Sequence, residues 1–191
     1  MSSEPAAYIR SATLLSRRES RLLIVDVQER LLPAIANADL MLANCTRLVQ
    51  GAQILEVPVW ATEQYPKGLG GTVASLAHLL PERLEKNRFS SVEVLNWGTA
   101  AADPAGRFRV VVAGIEAHVC ILQTVLDLLA LGYDVHVPFD AVASRNDQNR
   151  QVALERMAAS GAVVTTTESV LFEWCEVAGT PEFKQISQLI K

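Results

Sequence analysis

The sequence predicts a three-layer α/β/α fold, a mostly parallel central sheet with helices on both faces. Short β-branched apolar runs alternate with segments of helical periodicity, the pattern of βαβ units. The chain has 191 residues, half of them hydrophobic and 20% charged, enough for one domain with a substantial core. No internal repeat, low-complexity tract or shift in composition divides it. The expected organisation is an N-terminal arm over residues 1–20 and a single domain over 21–191.

The elements follow in order. Arg21–Asp26, RLLIVD, is a short apolar run suited to a buried strand. Ala38–Val57 places Leu42, Leu48, Val49, Ala52 and Leu55 at helical intervals, and Pro58–Thr62 reads as the next strand. Val73–Leu80 is a short helix between Gly70-Gly71 and Pro81. From Glu82 to Gly106 the pattern is irregular, with a helical turn over Ser91–Trp97. The rhythm then resumes with a strand at Val110–Gly114, a helix over Val119–Leu131 ending at Gly132, and a strand at Asp134–Phe139. A helix over Asp147–Ser160 stops at Gly161, Ala162–Thr166 is a strand, and Ser169–Trp174 and Pro181–Ile190 are helical.

Composition excludes several functions. The net charge is −4, from 17 basic and 21 acidic residues, and no basic stripe stands out, so nucleic acid is not an expected partner. No stretch approaches the roughly 18 consecutive apolar residues of a membrane span, so no membrane association is expected. The first twenty residues carry Arg10, Arg17, Arg18 and several serines, a faint resemblance to an organelle-targeting peptide. They also contain Glu4 and Glu19 and no apolar core, which favours a short arm and a cytoplasmic address. Three widely spaced cysteines, Cys45, Cys120 and Cys175, with no CxxC pair, argue against a disulfide framework and for a reducing compartment. Neither GxGxxG after the first strand nor GxxxxGK[ST] occurs, which disfavours dinucleotide and P-loop phosphate sites.

In open parallel sheets, ligands bind beyond the carboxyl ends of the strands. That rule singles out Asp26, Glu63, Glu116, Cys120 and Asp140. Asp26 ends an apolar strand, where a carboxylate is costly unless it has partners or a task. Cys120 follows the strand break at Gly114 and falls near the first turn of the next helix. There, unpaired N–H groups and the helix dipole favour a thiolate, the reactive form. The alternative is a small buried hydrophobe, the usual state of a free cysteine. Cys45, in an apolar helical pattern, and Cys175 read as structural. His118 lies two residues before Cys120, and helical neighbours two apart do not face each other, so a papain-like Cys–His pair is disfavoured. His136 alternates with Val135 and Val137 on a strand and reads as structural.

LLIVDVQ (22–28), KNRFS (86–90) and GIEAHVC (114–120), in that order over this α/β rhythm, resemble the isochorismatase-like cysteine hydrolases. TEQYPKGLG, DAVASRN and TTTESVLFEW point to the branch of isochorismatase domain-containing proteins. The resemblance spans about residues 22–184. It implies a mostly parallel sheet of about six strands and an Asp26, Lys86, Cys120 triad. In that triad Asp26 takes the thiol proton and later returns it to the leaving group. Lys86 supports the charge on Asp26 and favours the thiolate. Cys120 attacks a carbonyl or carbamoyl carbon to give an acyl-enzyme. The resemblance also implies a cis peptide at Ile115–Glu116 and an oxyanion hole from the backbone N–H groups of Glu116 and Cys120.

Gln28, Tyr65, Phe89 and His118 are the candidates for lining a small-molecule pocket; packing is the alternative for Tyr65 and Phe89. Nicotinamidases carry a DxH metal motif, and TEQYPKG stands here instead, so neither metal nor other cofactor is expected. Self-association into a homo-oligomer is implied by the resemblance. The leading expectation is a hydrolase of C–N bonds in small amides or carbamoyl compounds. A non-catalytic oligomerising or interaction protein and a thiol redox protein using Cys120 are the alternatives. The intact triad speaks against the first of these, and the lack of a nearby resolving cysteine against the second.

Overall fold

The computed structural model describes residues 8–80 and 82–191. Among the described residues, seven strands form one sheet with the order β3-β2-β1-β4-β5-β7, and β6 pairs with β4. The strands are β1 (Ser20–Val25), β2 (Val59–Gln64), β3 (Arg83–Lys86), β4 (Arg109–Ile115), β5 (Asp134–Pro138), β6 (Val142–Ala143) and β7 (Val163–Thr165). Every pairing between them is parallel. The helices are α1 (Ala38–Ile54), α2 (Pro66–Leu69), α3 (Ala74–Ala77), α4 (Val92–Leu95), α5 (Leu122–Ala130), α6 (Asp147–Ala159), α7 (Thr167–Cys175) and α8 (Pro181–Leu189).

β1 and β4 are central and buried at every position, as expected of strands covered on both faces. Their side chains alternate between two cores. Leu22, Ile24, Val111, Ala113 and Ile115 pack with α1, α7 and α8, around Leu48, Leu171, Trp174 and Ile186. Leu23, Val25, Val110 and Val112 pack with α5 and α6, around Ile121, Val125 and Met157. This alternation builds the three layers.

Two strands depart from the sequence reading. β3 (RLEK) carries three charged residues and lies at the sheet edge, so it has no apolar run to betray it. β6 is two residues long, too short for any periodicity.

The first seven residues of the expected N-terminal arm lie outside the described residues. The rest of the arm joins the domain. Leu15 is fully buried in the core, and Arg10 donates to the carbonyls of Leu15 and Glu173 at 2.8 and 2.7 Å. Arg109 at the start of β4 donates to the carbonyls of Leu14, at 2.6 Å, and Ala12.

Candidate active site

Three segments at the carboxyl ends of β1, β3 and β4 meet. Asp26 directly follows β1, Lys86 is the last residue of β3, and Cys120 lies just beyond β4. All three are buried, at 0%, 4% and 5% exposure. Asp26 adopts a positive φ of 54°, which an aspartate tolerates better than most residues, and this turns the chain out of the sheet. Its backbone N–H still donates to the Thr62 carbonyl at 3.1 Å, so it stays registered to β2.

The Lys86 ammonium is held on all sides. It donates to Asp26 Oδ2 at 2.7 Å, Gln64 Oε1 at 2.8 Å and the Phe89 carbonyl at 2.9 Å, with the Arg88 carbonyl at 3.3 Å. An ammonium has three hydrogens. Three short contacts therefore hold it in place, and it also hydrogen-bonds the Cys120 side chain. Asp26 Oδ1 accepts from Thr62 Oγ1 at 2.8 Å, so both carboxylate oxygens have donors.

Cys120 sits in a π-helical turn, Ala117–Ile121, that runs directly into α5. The Ile121 N–H reaches back to the Glu116 carbonyl at 3.2 Å, the widened spacing of such turns. The Ile115–Glu116 peptide bond leading into the turn is cis. Glu116 directs its carboxylate away, accepting from Arg145 N at 2.9 Å and Arg145 Nε at 3.0 Å.

The surroundings of Cys120 oppose the thiolate that the helix start favours. Burial, reinforced by the Asp26 charge, pushes the Cys120 thiol up to about 12; the Lys86 charge opposes this without cancelling it. Both effects favour the neutral thiol over the thiolate. Reasoning from the helix start alone omitted the carboxylate beside it and the loss of solvent. Cys45 is also pushed up to about 12, by burial and then the charge of Asp140, which suits an inert core thiol.

The pocket candidates separate. Gln28 is fully buried, and its amide is engaged by backbone: Nε2 donates to the carbonyls of Gln64 and Gly70 at 3.0 and 2.7 Å, and Oε1 accepts from Gln64 N at 2.7 Å. It braces Gln64, which in turn holds Lys86. Tyr65 is half exposed and lines a cleft of about 690 Å³ with Lys67, Glu85, Lys86, Asn87 and Arg88. Phe89 is half exposed and gives its carbonyl to Lys86. His118 is half-buried, with Nδ1 3.0 Å from the Ser144 hydroxyl.

Glu63 accepts from Thr72 N and Oγ1, both at 2.7 Å, and Asp140 accepts from Thr167 N and Oγ1 at 2.9 and 3.0 Å. These two strand-end acids are engaged in holding loops. Among the described residues, no group of three or more His, Cys, Asp or Glu is arranged to hold a metal ion. No helix among them is long and apolar enough to cross a membrane.

The isochorismatase-domain profile matches residues 20–169. The chain belongs to the isochorismatase family. Isochorismatase domain-containing protein 1 of Danio rerio is 43% identical over 179 residues, covering 93% of this chain and 62% of that protein. The chain spans 59% of the corresponding Salmo salar protein. Isochorismatase domain-containing protein 2A of Mus musculus is 40% identical over 173 residues, covering 90% of this chain and 82% of that one. Among solved structures, MAR1 ribonuclease from Caenorhabditis elegans superposes with a TM-score of 0.85 at 36% identity, covering 93% of this chain and 92% of that one. The fold is thus that of the isochorismatase-like hydrolases. Gln64, Thr62, Ser91 and Thr124 are residues around the candidate site that sequence reasoning did not single out. Thr62, Gln64 and Ser91 lie in or beside the quoted motifs, yet nothing in spacing tells such residues from ordinary strand and turn positions.

Proposed function

We propose that this protein is a cysteine hydrolase that cleaves the C–N bond of a small amide or carbamoyl compound. The meeting of a buried carboxylate, a fixed ammonium and a thiol beyond the carboxyl ends of β1, β3 and β4 carries this reading. The sulfur rests as a thiol, so its proton must leave as substrate is attacked. Asp26 is the base beside it. The sulfur bonds to the acyl carbon as its proton passes to Asp26. The C–N bond then breaks, the proton goes to the departing nitrogen, and a thioester remains on Cys120. Water adds to the thioester, giving its proton to Asp26. The C–S bond breaks and that proton returns to the sulfur.

Backbone N–H groups of Glu116 and Cys120 are the proposed donors to the oxyanion. Lys86 is held against Asp26 by the Gln64 amide oxygen and the Phe89 carbonyl, and it orients the carboxylate toward Cys120. The worm relative is named a ribonuclease. Here a net charge of −4 and a largely buried triad suit a small uncharged acyl group better than a polyanion.

A panel of small amides and carbamoyl compounds, with a short RNA as a further arm, tests the reading through release of ammonia, amine or cleaved RNA. The wild type releases ammonia or an amine from at least one member, and Cys120→Ala from none. Activity that survives Cys120→Ala, or cleavage confined to the RNA arm, contradicts the reading.

A further inference from the structure

Asp26 Oδ1 is the end of a chain of buried hydroxyls. Thr62 Oγ1 donates to it at 2.8 Å. That leaves the Thr62 oxygen to accept, and the Ser91 hydroxyl lies 3.4 Å away. Thr124 Oγ1 donates to Ser91 Oγ at 3.3 Å and accepts from the Ser91 N–H at 2.9 Å. All three hydroxyl residues are at or below 1% exposure. With the hydrogens assigned in this way, every O–H along the chain points toward Asp26, an arrangement in which each bond polarises the next.

Each hydroxyl is anchored on a segment that carries or registers a triad member. Thr62 pairs in register with Val25, the residue before Asp26. Ser91 lies five residues after Lys86, beyond the Arg88 and Phe89 carbonyls that hold its ammonium. Thr124 lies on α5, four residues after Cys120. Apolar side chains of the same shape would fill this space without polar atoms to satisfy. Three hydroxyls linked in line to one carboxylate oxygen therefore call for a reason.

We infer that Thr62, backed by Ser91 and Thr124, is a positioning residue that sets the proton affinity of Asp26 and its orientation toward Cys120. The inference rests on the hydrolase reading, in which Asp26 is the base. The titratable or charged groups facing Asp26 are Lys86, from β3, and Cys120, from the π-helical turn. Lys86 is fixed by its carbonyl and amide partners, and Cys120 titrates far above the range in question. A donor to the ionised carboxylate favours the charged form. Losing it raises the affinity of Asp26 for a proton, so the base is lost at a higher pH.

The test is the pH dependence of Cys120 alkylation by iodoacetamide, followed by peptide mass spectrometry in the wild type and in Thr62→Val, Thr62→Ser and Asp26→Asn. In the wild type the rate holds a plateau around neutral pH, sustained by transfer of the thiol proton to Asp26, and falls on the acid side as Asp26 protonates. Asp26→Asn has no plateau, only a rate rising with pH toward the titration of the thiol. Thr62→Val moves the acid limb up by about one pH unit, or tenfold in proton affinity, and Thr62→Ser leaves it in place.

A Thr62→Val acid limb that coincides with the wild type overturns the inference while leaving the hydrolase reading intact. An Asp26→Asn profile identical to the wild type overturns the hydrolase reading itself. If Thr62→Val does not fold, Thr124→Val supplies the same test one link further out. Its shift is smaller and in the same direction, and an unmoved limb again overturns the inference.

Discussion

Lys86→Met costs about 3–5 kcal/mol of folding stability, the usual consequence of removing one partner from a buried ion pair. Asp26 has no solvent exposure, and Lys86 is the cation against it, at 2.7 Å. Methionine matches the length of the lysine stem but leaves the Asp26 charge, the Gln64 amide oxygen and the Phe89 carbonyl without their donor. Urea denaturation at neutral pH measures the loss. Adding Asp26→Asn to Lys86→Met removes the stranded charge and recovers part of it, as expected of a coupled pair. If the double variant is no more stable than Lys86→Met alone, a stranded carboxylate is not the source of the loss. Both variants are expected to be inactive against any substrate that the wild type cleaves.

Gly114→Ala is expected to cost about 2–6 kcal/mol, combining backbone strain with overpacking. Gly114 sits on β4 opposite Val25, next to the start of the Asp26 turn, with φ at +121°. A Cβ there would lie 2.1 Å from the Val25 carbonyl oxygen and 2.8 Å from the Val25 nitrogen. Both contacts are with backbone of the central strand, so no rotamer change relieves them. For a domain of ordinary stability, about 5–15 kcal/mol, the substitution removes much of the margin and displaces Asp26 from Cys120. Thermal unfolding followed by circular dichroism reads the effect. A Gly114→Ala protein as stable as the wild type contradicts the close approach of β4 to β1 at this point.

Much of this molecule was legible before folding was considered, and what was legible follows from burial. β1 and β4 stand out because both of their faces are covered, so the strand signal is continuous. β3 escaped because an edge strand ending in a charged residue looks like a loop, although it delivers Lys86 to the site. The π-helical turn also escaped, since helical periodicity does not distinguish a widened first turn from an α-helical one. Asp26 and Cys120 stood out by their places at a strand end and a helix start, whereas Lys86 and the grouping of the three came from resemblance, since Asp26 lies 60 and 94 residues before the other two.

For the protonation of Cys120, local backbone gives one sign and the tertiary environment another. The turn favours a thiolate, while burial and the Asp26 carboxylate favour the thiol and prevail. Gln28 was placed near the substrate because it follows Asp26 closely. In the fold it braces Gln64, which holds Lys86. The hydroxyl chain could not be read at all. Thr62, Ser91 and Thr124 are ordinary residues for a strand, a turn and a helix, and only packing brings them together.

Covalent acylation of Cys120 during turnover is tested most directly by pre-steady-state reaction with p-nitrophenyl acetate, an activated acyl donor that does not depend on knowing the natural substrate. A burst of p-nitrophenol stoichiometric with protein is expected, with an acetyl group on the Cys120 peptide after acid quench and loss of both in Cys120→Ala. A burst that persists in Cys120→Ala, or acetylation that falls on Cys175 and leaves Cys120 unmodified, would contradict it.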